Sequence, residues 1–142
     1  MPRDTGWAMS EENVELVRRG AEAFNRRDMG GLAELSDEDL EFVSVLAVDP
    51  GGATYRGSET WTSYFAAMDE TWEEWQVEDF RVFDGGEDRV AGVFRIVGTG
   101  KHSGAPVEHE IGLAYRIREG KLWRMRSYLD PAEALEAAGL SE

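Results

Sequence analysis

Histidine is the side chain in this sequence that most readily carries a proton near neutral pH, because its ordinary pKa lies close to that range. Two histidines occur. His109 falls among the apolar alternate residues of a predicted strand, whereas His102 lies in the loop predicted between Gly100 and Pro106. We therefore expect His109 on the covered face of a sheet, as a proton carrier or, more commonly, as a residue that only lines a core or pocket.

Four aromatic residues are candidates for the wall of a ligand pocket. Trp61 and Tyr64 fall on one side of a predicted helix, and Tyr115 and Tyr128 fall in predicted strands. Each joins an apolar ring to a donor that can bind a ligand oxygen. Aromatic residues at helical spacing are also typical of plain core packing, so the sequence leaves both roles open.

Asp130 stands directly before Pro131, a pair that favours the opening of a helix. The aspartate carboxylate accepts hydrogen bonds from the first free amides, and proline suits the first helical position.

No pattern in the sequence predicts a metal site or a cofactor. Cysteine is absent, which excludes disulfides and thiolate ligands. The acidic clusters lie in predicted loops or at element ends and lack the ligand spacing of a calcium loop; they are Asp37–Asp39, Glu73–Glu74 and Glu87–Asp88. We expect neither metal nor cofactor.

Length and charge predict a single domain without nucleic-acid or membrane partners. The 142 residues suit one domain, 1–142, in which residues 1–9 are expected to be flexible. The 15 basic and 29 acidic residues give a net charge of -14, which repels phosphate backbones and anionic lipids. The polar N-terminus lacks a signal-peptide segment, and no apolar run is long enough to cross a membrane. We expect a cytoplasmic, soluble protein.

Three helices are predicted before the main run of strands, and Asp130 opens a fourth. Ser10 predicts the start of the first helix, Met29–Leu35 forms a brief second, and Ser58 predicts the cap of the third. Both long helices have an apolar side, formed by Val14, Val17, Ala21 and Phe24 in the first and by Trp61, Tyr64, Phe65, Met68 and Trp72 in the third.

Five segments read as strands, and the last four follow one another without an intervening helix. The turn signals between them predict an antiparallel meander. Gly92, Gly98 and Gly112 lie inside these strands, which indicates a strongly curved or bulged sheet. The predicted strands are Leu40–Val48, Gln76–Phe83, Arg89–Thr99, Val107–Arg118 and Lys121–Leu129.

Alternation assigns the faces of one strand and leaves those of another open. From Val107 to Ile117 the odd residues are mostly apolar, which places His109 and Tyr115 on the covered face. In the last strand, each of the two alternating sets of residues mixes apolar and polar side chains, so neither set is clearly the buried one. One bulge would exchange the two faces. The faces of Arg124 and Arg126 therefore stay open.

Five segments carry a family resemblance: Glu12–Val14, Phe24–Asp28, Tyr55–Gly57, Gly104–Glu108 and Tyr128–Leu140. With the order of the elements, they make the chain resemble the nuclear transport factor 2-like superfamily and, within it, the SnoaL-like group. The resemblance implies an α+β fold, the cystatin-like α+β roll, in which a cone-shaped curved antiparallel or mixed sheet wraps around N-terminal helices. It also implies an apolar pocket at the wide end and a homodimer formed through the outer sheet face.

The resemblance also implies which reactions to compare with these residues. SnoaL-like cyclases place an acid-base aspartate at the end of the last strand, and Asp130 matches that place, 9 residues before Gly139. The resemblance thus implies a carboxylate at the mouth of an apolar pocket, which would have a raised pKa and could move a proton to or from a carbon beside a carbonyl group. Asp130 could have this role and still cap the helix. Steroid isomerases of this fold carry a carboxylate base close to the position of Ser44, where the match fails. Epoxide hydrolases need an Arg-x-Asp strand and dehydratases need two pocket histidines, and neither pattern is found.

Three classes of function follow. The first is a protein that binds a small, largely apolar molecule in a pocket lined by Trp61, Tyr64, His109, Tyr115 and Tyr128. The second is a polyketide cyclase, isomerase or hydrolase that uses Asp130, with or without His109. The third is a non-catalytic dimeric interaction module in which the pocket is vestigial. A homodimer is also predicted on separate grounds, because in either register some of four apolar residues must lie on the outer sheet face: Trp123, Met125, Phe80 and Phe94. We rank the first highest, because it requires only a curved sheet and an apolar lining.

Overall fold

The computed structural model describes residues 2–46 and 53–140, and for residues 2–10 it describes the backbone alone. Within these ranges four α-helices and six strands form the predicted α+β fold. No described helix is both long and apolar enough to span a membrane. The elements are α1 (Pro2–Asn25), α2 (Met29–Leu35), β1 (Ser36–Ser44), β2 (Ala53–Arg56), a 3₁₀ turn (Gly57–Glu59), α3 (Thr60–Thr71), β3 (Trp72–Gly86), β4 (Arg89–Gly100), β5 (Pro106–Arg118), β6 (Lys121–Tyr128) and α4 (Pro131–Ala137).

All six strands belong to one mixed sheet, in the order β2-β1-β6-β5-β4-β3. Strands β3 to β6 pair antiparallel with their neighbours in the chain, which confirms the predicted meander. β1 lies parallel to β6 and antiparallel to β2. β1 and β2 thus extend the meander beyond β6, and the sheet curls without closing.

A bulge in β3 contributes to the curl. The register between β3 and β4 shifts between Glu78 and Arg81, and Asp79 has a φ of 59°, in the left-handed region. Such a bulge increases the local twist of a strand. Beside it, Gly92 leaves room for an aromatic ring, because a Cβ there would lie 2.9 Å from Cζ of Phe80. One of the strand glycines therefore serves ring packing.

Cross-strand pairs define a concave face that α1 and α3 cover. Side chains of directly paired residues in antiparallel strands lie on the same face. Val90 in β4 pairs with Tyr115 in β5, and both are buried. The alternation predicted for β5 is confirmed by four buried odd-numbered residues: Ile111, Leu113, Tyr115 and Ile117.

A second bulge decides the faces of β6. The register between β5 and β6 shifts at Trp123, which has no register partner in β5. The buried side chains of β6 are therefore even-numbered before the bulge and odd-numbered after it, namely Leu122, then Met125 and Ser127. Arg124 and Arg126 consequently lie on the outer face of the sheet.

Guanidinium groups cover Trp123 on this outer face. Those of Arg116, Arg118 and Arg124 lie 5.7, 4.7 and 4.3 Å from the centre of its ring, distances at which cations and aromatic rings attract each other. Each of the three arginines also pairs with a carboxylate, that of Asp88, Asp37 and Glu41 respectively. Charged groups therefore surround Trp123 on the outer face.

Most of the apolar residues considered for the outer face of a homodimer lie on the concave side of the sheet instead. Phe94 and Met125 are buried in the cavity wall on the concave side, and Phe80 stacks on Phe94 with ring centres 6.2 Å apart. Of the four residues that motivated the prediction, Trp123 alone lies on the outer face, beneath arginines. The expectation that some of these residues lie on the outer face is met by Trp123, and the homodimer stays a prediction.

The strand boundaries differ from the prediction at the start of the sheet. β1 begins at Ser36 rather than at Leu40, so the acidic residues before Leu40 belong to the strand and not to a helix end. Residues 47 and 48 of the predicted strand lie outside the described ranges. β2 was not predicted, because its 4 residues are too few to display alternation.

The helix boundaries differ as well. α1 begins at Pro2, upstream of the predicted start at Ser10. The predicted Ser58 cap is wrong, because a 3₁₀ turn precedes α3 and no side chain caps that helix. Trp72 begins β3 instead of extending α3. The capping signals therefore predicted that these helices exist, but not the residues at which they begin.

The C-terminal helix α4 packs on the outer face of β5. The Asp130 carboxylate accepts a hydrogen bond from the Ala132 amide at 3.0 Å, and Pro131 occupies the first turn, which confirms the predicted helix opening. A Cβ at Gly112 would lie 2.5 Å from Cβ of Ala134 and 2.8 Å from Cα of Pro131. Gly112 is therefore required by the close approach of α4.

Substituting Gly112 by alanine should push α4 away from the sheet, because the added methyl group would overlap Ala134 and Pro131. Overpacking of this kind lowers the free energy of unfolding by about 1–3 kcal/mol, which urea denaturation would measure. Adding Ala134→Gly should restore part of the loss. A Gly112→Ala variant as stable as the parent protein would contradict this packing.

Asp37 in β1 is held by Arg118 across the outer face. The guanidinium donates hydrogen bonds of 2.9 and 3.2 Å to the Asp37 carboxylate. These bonds, with a further one from the Asp39 amide, hold the pKa of Asp37 below its ordinary value. A carboxyl group whose pKa is lower in the folded state stabilises the fold above its ordinary pKa and loses that contribution as the pH falls through the folded value.

We therefore expect Asp37→Asn to lower the midpoint of thermal unfolding near neutral pH and to have a smaller effect at an acidic pH, because the native carboxyl becomes protonated as the pH falls through its lowered pKa. Calorimetry at both pH values measures the difference. Glu38→Gln, at the adjacent exposed position, is the control and should change neither midpoint. An Asp37→Asn deficit of equal size at both pH values would refute the ion-pair explanation.

Candidate functional site

A cavity of about 50 Å³ lies between the helices and the concave face of the sheet. Its wall is almost entirely apolar and includes Phe24, Leu32, Phe42, Met68, Ile96 and Met125. Within the described lining, the side chains that carry polar atoms are Trp61, Tyr64, Tyr115 and Ser127. The cavity therefore combines a large apolar surface with a few hydroxyl groups.

Phe24 in α1 positions the aromatic wall of the cavity. Its ring centre lies 5.1 to 6.3 Å from those of Trp61, Tyr64, Phe65 and Trp75. Aromatic pairs at such distances attract beyond the effect of area burial alone. The spacing of residues 61, 64, 65 and 68 places the apolar side of α3 against Phe24. This packing turns Trp61 and Tyr64 toward the cavity.

Two serines near the cavity have hydroxyl groups that already accept hydrogen bonds. Ser127 Oγ accepts one from the Val45 amide at 2.8 Å, and Ser44 Oγ accepts one from the Leu46 amide at 3.1 Å. The Ser44 hydroxyl donates in turn to the Tyr64 oxygen at 3.4 Å. These bonds connect the ends of β1 and β6 to α3.

Trp61 contributes mainly its ring to the cavity. Its indole N–H donates to Ser36 Oγ at 3.0 Å, so the donor is already used within the protein. Ser36 Oγ donates in turn to the Leu32 carbonyl at 2.7 Å. The chain of bonds fixes the orientation of the indole against α2 and β1.

Tyr115 differs from these groups, because its hydroxyl makes no hydrogen bond to any described residue. The side chain is buried and lies in the cavity wall. Burial raises the pKa of Tyr115 and of Tyr64, and the neighbouring Tyr64 phenol adds to the rise at Tyr115. Both phenols therefore stay protonated at physiological pH and can act as donors.

Of the four predicted pocket residues, Trp61, Tyr64 and Tyr115 lie in the cavity lining. Tyr128 does not. It is half-buried on the outer side of β6, paired with Gly112 and with the Arg126 guanidinium 5.5 Å from its ring centre. The bulge at Trp123 gives the physical reason, because it moves the even-numbered residues of β6 to the outer face.

The prediction that His109 is covered is wrong. It pairs with buried Ile96 and so lies on the concave side of β5, but its side chain is exposed. Its Nε2 lies 3.1 Å from the Leu129 carbonyl oxygen. Alternation identified the correct face, whereas the helices that cover this face leave the His109 end of β5 open to solvent.

Asp130 lies outside the described cavity lining, is exposed, and caps α4. Glu41, the carboxylate nearest in sequence to the isomerase-like position at Ser44, is paired with Arg56 and Arg124 on the outer face. The described lining therefore contains no carboxylate or imidazole. The catalytic role predicted for Asp130 and His109 stays a prediction that their positions do not favour.

Two polar residues near the cavity were not identified from the sequence. Ser127 falls in β6, whose two faces the sequence did not assign. Ser44 was considered only as the position at which the carboxylate base of the steroid isomerases has no match. A small hydroxyl residue on the buried side of β6 would have identified Ser127. The buried side of β6 can be assigned, however, only when the position of the bulge is known. Elsewhere in the described ranges, no group of three His, Asp or Glu side chains comes together to hold a metal ion.

Residues 17–125 match the family model described as the SnoaL-like domain. This match covers more than half of the 142 residues. No curated protein matches the chain.

Solved structures share the fold over nearly their whole length. A nuclear transport factor 2-like protein from Burkholderia xenovorans is 26% identical, with 90% of this chain and 96% of that chain covered and a TM-score of 0.72. A Xanthomonas campestris protein, named as a candidate polyketide cyclase, is 20% identical, with 90% and 97% covered and a TM-score of 0.68. A Catenulispora acidiphila protein with a ketosteroid isomerase-like fold, in complex with trimethylamine, is 22% identical, with 89% and 93% covered and a TM-score of 0.68.

The two roles of Asp130 can be separated by two substitutions. Asparagine is as good a helix cap as aspartate, whereas alanine is not, so Asp130→Asn should preserve stability and Asp130→Ala should lower the free energy of unfolding by about 0.5–2 kcal/mol. Urea denaturation measures both variants. A loss of ligand binding or of any discovered activity in Asp130→Asn, at unchanged stability, would restore the acid-base role.

Proposed function

We propose that this chain, a member of the SnoaL-like domain family within the nuclear transport factor 2-like superfamily, binds a small, largely apolar molecule in the cavity beneath α1 and α3. The observation that carries the proposal is an apolar lining interrupted by two buried phenols, Tyr64 and Tyr115. Small-molecule pockets commonly combine apolar walls with a few placed polar groups. Apolar contact and hydrogen bonding, rather than ion pairing, would hold the ligand.

The size of the cavity limits the ligand. An engineered cavity of about 150 Å³ in another protein binds benzene, and the cavity described here has a volume of about 50 Å³. Met68 and Met125 lie in its lining, and the unbranched methionine side chain repacks at low cost. The cavity is smaller than the one that binds benzene, so a ligand with one ring would fit only when the side chains of these two methionines move aside.

A catalytic function has weaker support from the same cavity. Proton transfer at carbon is most efficient when the base has a pKa near the working pH. The ionisable groups in the described lining are two phenols, whose pKa values burial raises. Structures named as candidate polyketide cyclases share the fold, but at their level of identity that likeness extends to the fold alone. Binding is therefore the function we propose.

Gly20 offers a direct test, because it lies in α1 and in the cavity lining. A Cβ at this position would lie 3.6 Å from Cδ1 of Leu122, an ordinary van der Waals contact. Alanine is a better helix residue than glycine. A methyl group here would therefore fit the protein while reducing the space for a ligand.

We expect Gly20→Ala to raise the free energy of unfolding by about 0.5–1 kcal/mol and to weaken the binding of cyclohexane, used as an apolar probe. Urea denaturation measures the first effect, and titration followed by amide chemical shifts measures the second. The matched control is Gly30→Ala in α2, at an exposed helical glycine outside the cavity; it should gain stability without changing binding. A parent protein that does not bind cyclohexane, or a Gly20→Ala variant that binds it unchanged, would count against the proposal.

A further inference from the structure

We infer that Phe80 in β3 gates this cavity: its ring turns outward at the edge of the sheet, and the ligand enters between α1 and β3. The inference rests on the proposed function, since it names the route by which the proposed ligand reaches its site. Most side chains in the described lining are buried. A ligand therefore reaches the cavity only when part of the wall moves.

The contact between α1 and β3 is one of two places where the described wall borders solvent. The lining side chains of α3, β4, β5 and β6 are buried. Leu46, just beyond β1, is half-buried. The remaining half-buried side chains of the described lining belong to α1 and β3, which pack on each other, and they are Ala21, Phe24, Val77 and Phe80. Solvent therefore reaches the lining along this contact.

Phe80 is the side chain in this wall that the sheet holds least firmly. β3 is the outermost strand of the described sheet on its side, so a side chain can turn outward there without meeting a further strand. The register between β3 and β4 is interrupted between Glu78 and Arg81. Asp79 and Phe80 therefore lie together opposite Phe94, as a bulge. A bulge disrupts the ladder locally and redirects a side chain.

Gly92 in β4 receives the ring of Phe80 when the ring points inward. A Cβ at Gly92 would lie 2.9 Å from Cζ and 3.1 Å from Cε1 of Phe80, so the missing side chain allows the ring to lie this close to the sheet. Among the described residues, the ring on which Phe80 stacks is that of Phe94, with centres 6.2 Å apart. Turning outward breaks this stacking but leaves the aromatic cluster around Phe24 intact.

Removing the ring should lower the barrier to both entry and exit. We expect Phe80→Ala to raise the association and dissociation rate constants of cyclohexane by about tenfold each, which corresponds to a barrier lower by about 1.4 kcal/mol. Line-shape analysis of amide signals across a titration measures both constants. A residue that only filled the wall would change the affinity for cyclohexane without raising both rate constants together.

Gly92→Ala tests the gate without removing the ring. The added methyl group should hold the Phe80 ring outward, because the atoms that it would overlap are at the far end of that side chain, and both rate constants should again rise. In the presence of Phe80→Ala, the same substitution should have no further effect on them, since the ring that it displaces is absent. Non-additivity of this kind would connect the two positions to one motion.

Phe83→Ala is the matched control, because it removes a phenylalanine from the same strand that is exposed and lies outside the described cavity lining; it should change neither rate constant. The inference fails, and the proposed function stands, if cyclohexane binds and Phe80→Ala does not raise both rate constants; an increase in Leu46→Ala instead would place the entrance there. It fails as well if Gly92→Ala accelerates exchange equally with and without the Phe80 ring. If cyclohexane does not bind the parent protein, the proposed function fails and the inference fails with it.

Discussion

The packing of Phe24 against the rings of α3 and β3 is the interaction on which the rest of this structure depends. Its ring meets Trp61, Tyr64, Phe65 and Trp75 within 6.3 Å, and this contact joins the two long helices and the curled sheet in one apolar cluster. Burial of large aromatic side chains contributes strongly to stability. Three of these rings, those of Phe24, Trp61 and Tyr64, also line the cavity. The same contacts that stabilise the fold therefore define the walls of the cavity.

The fold could be predicted from the sequence wherever the local pattern was long enough to repeat. Thirteen residues of β5 show alternation, and the turn at Gly120 separates it cleanly from β6, so the meander and its covered face followed directly. The faces of β6 could not be predicted, because the bulge at Trp123 depends on how two strands pair and not on the residues of one. The four residues of β2 carry too little pattern. Its place depends on pairing with β1.

The site could be predicted only in part, for a related reason. Helical spacing identified Trp61 and Tyr64, and alternation identified Tyr115, since each pattern reports the direction of a side chain. The direction of a side chain does not show whether another element of the structure covers it. His109 shares a face with Ile96, but its side chain is exposed. Hydrogen-bond partners are also invisible in a sequence, so the difference between Tyr115, which has none among the described residues, and Tyr64, which has Ser44, required coordinates.

The arginines on the outer face have a consequence for how copies of this molecule approach one another. Several of them are neutralised by neighbouring carboxylates, including Arg95 by Glu78 and Arg81 by Glu110. Arg95 also meets Asp79 and Glu108, so carboxylates outnumber arginines in this cluster. The chain as a whole carries a charge of -14, and repulsion between identical molecules therefore opposes their approach at low ionic strength. Added salt shortens the range of that repulsion.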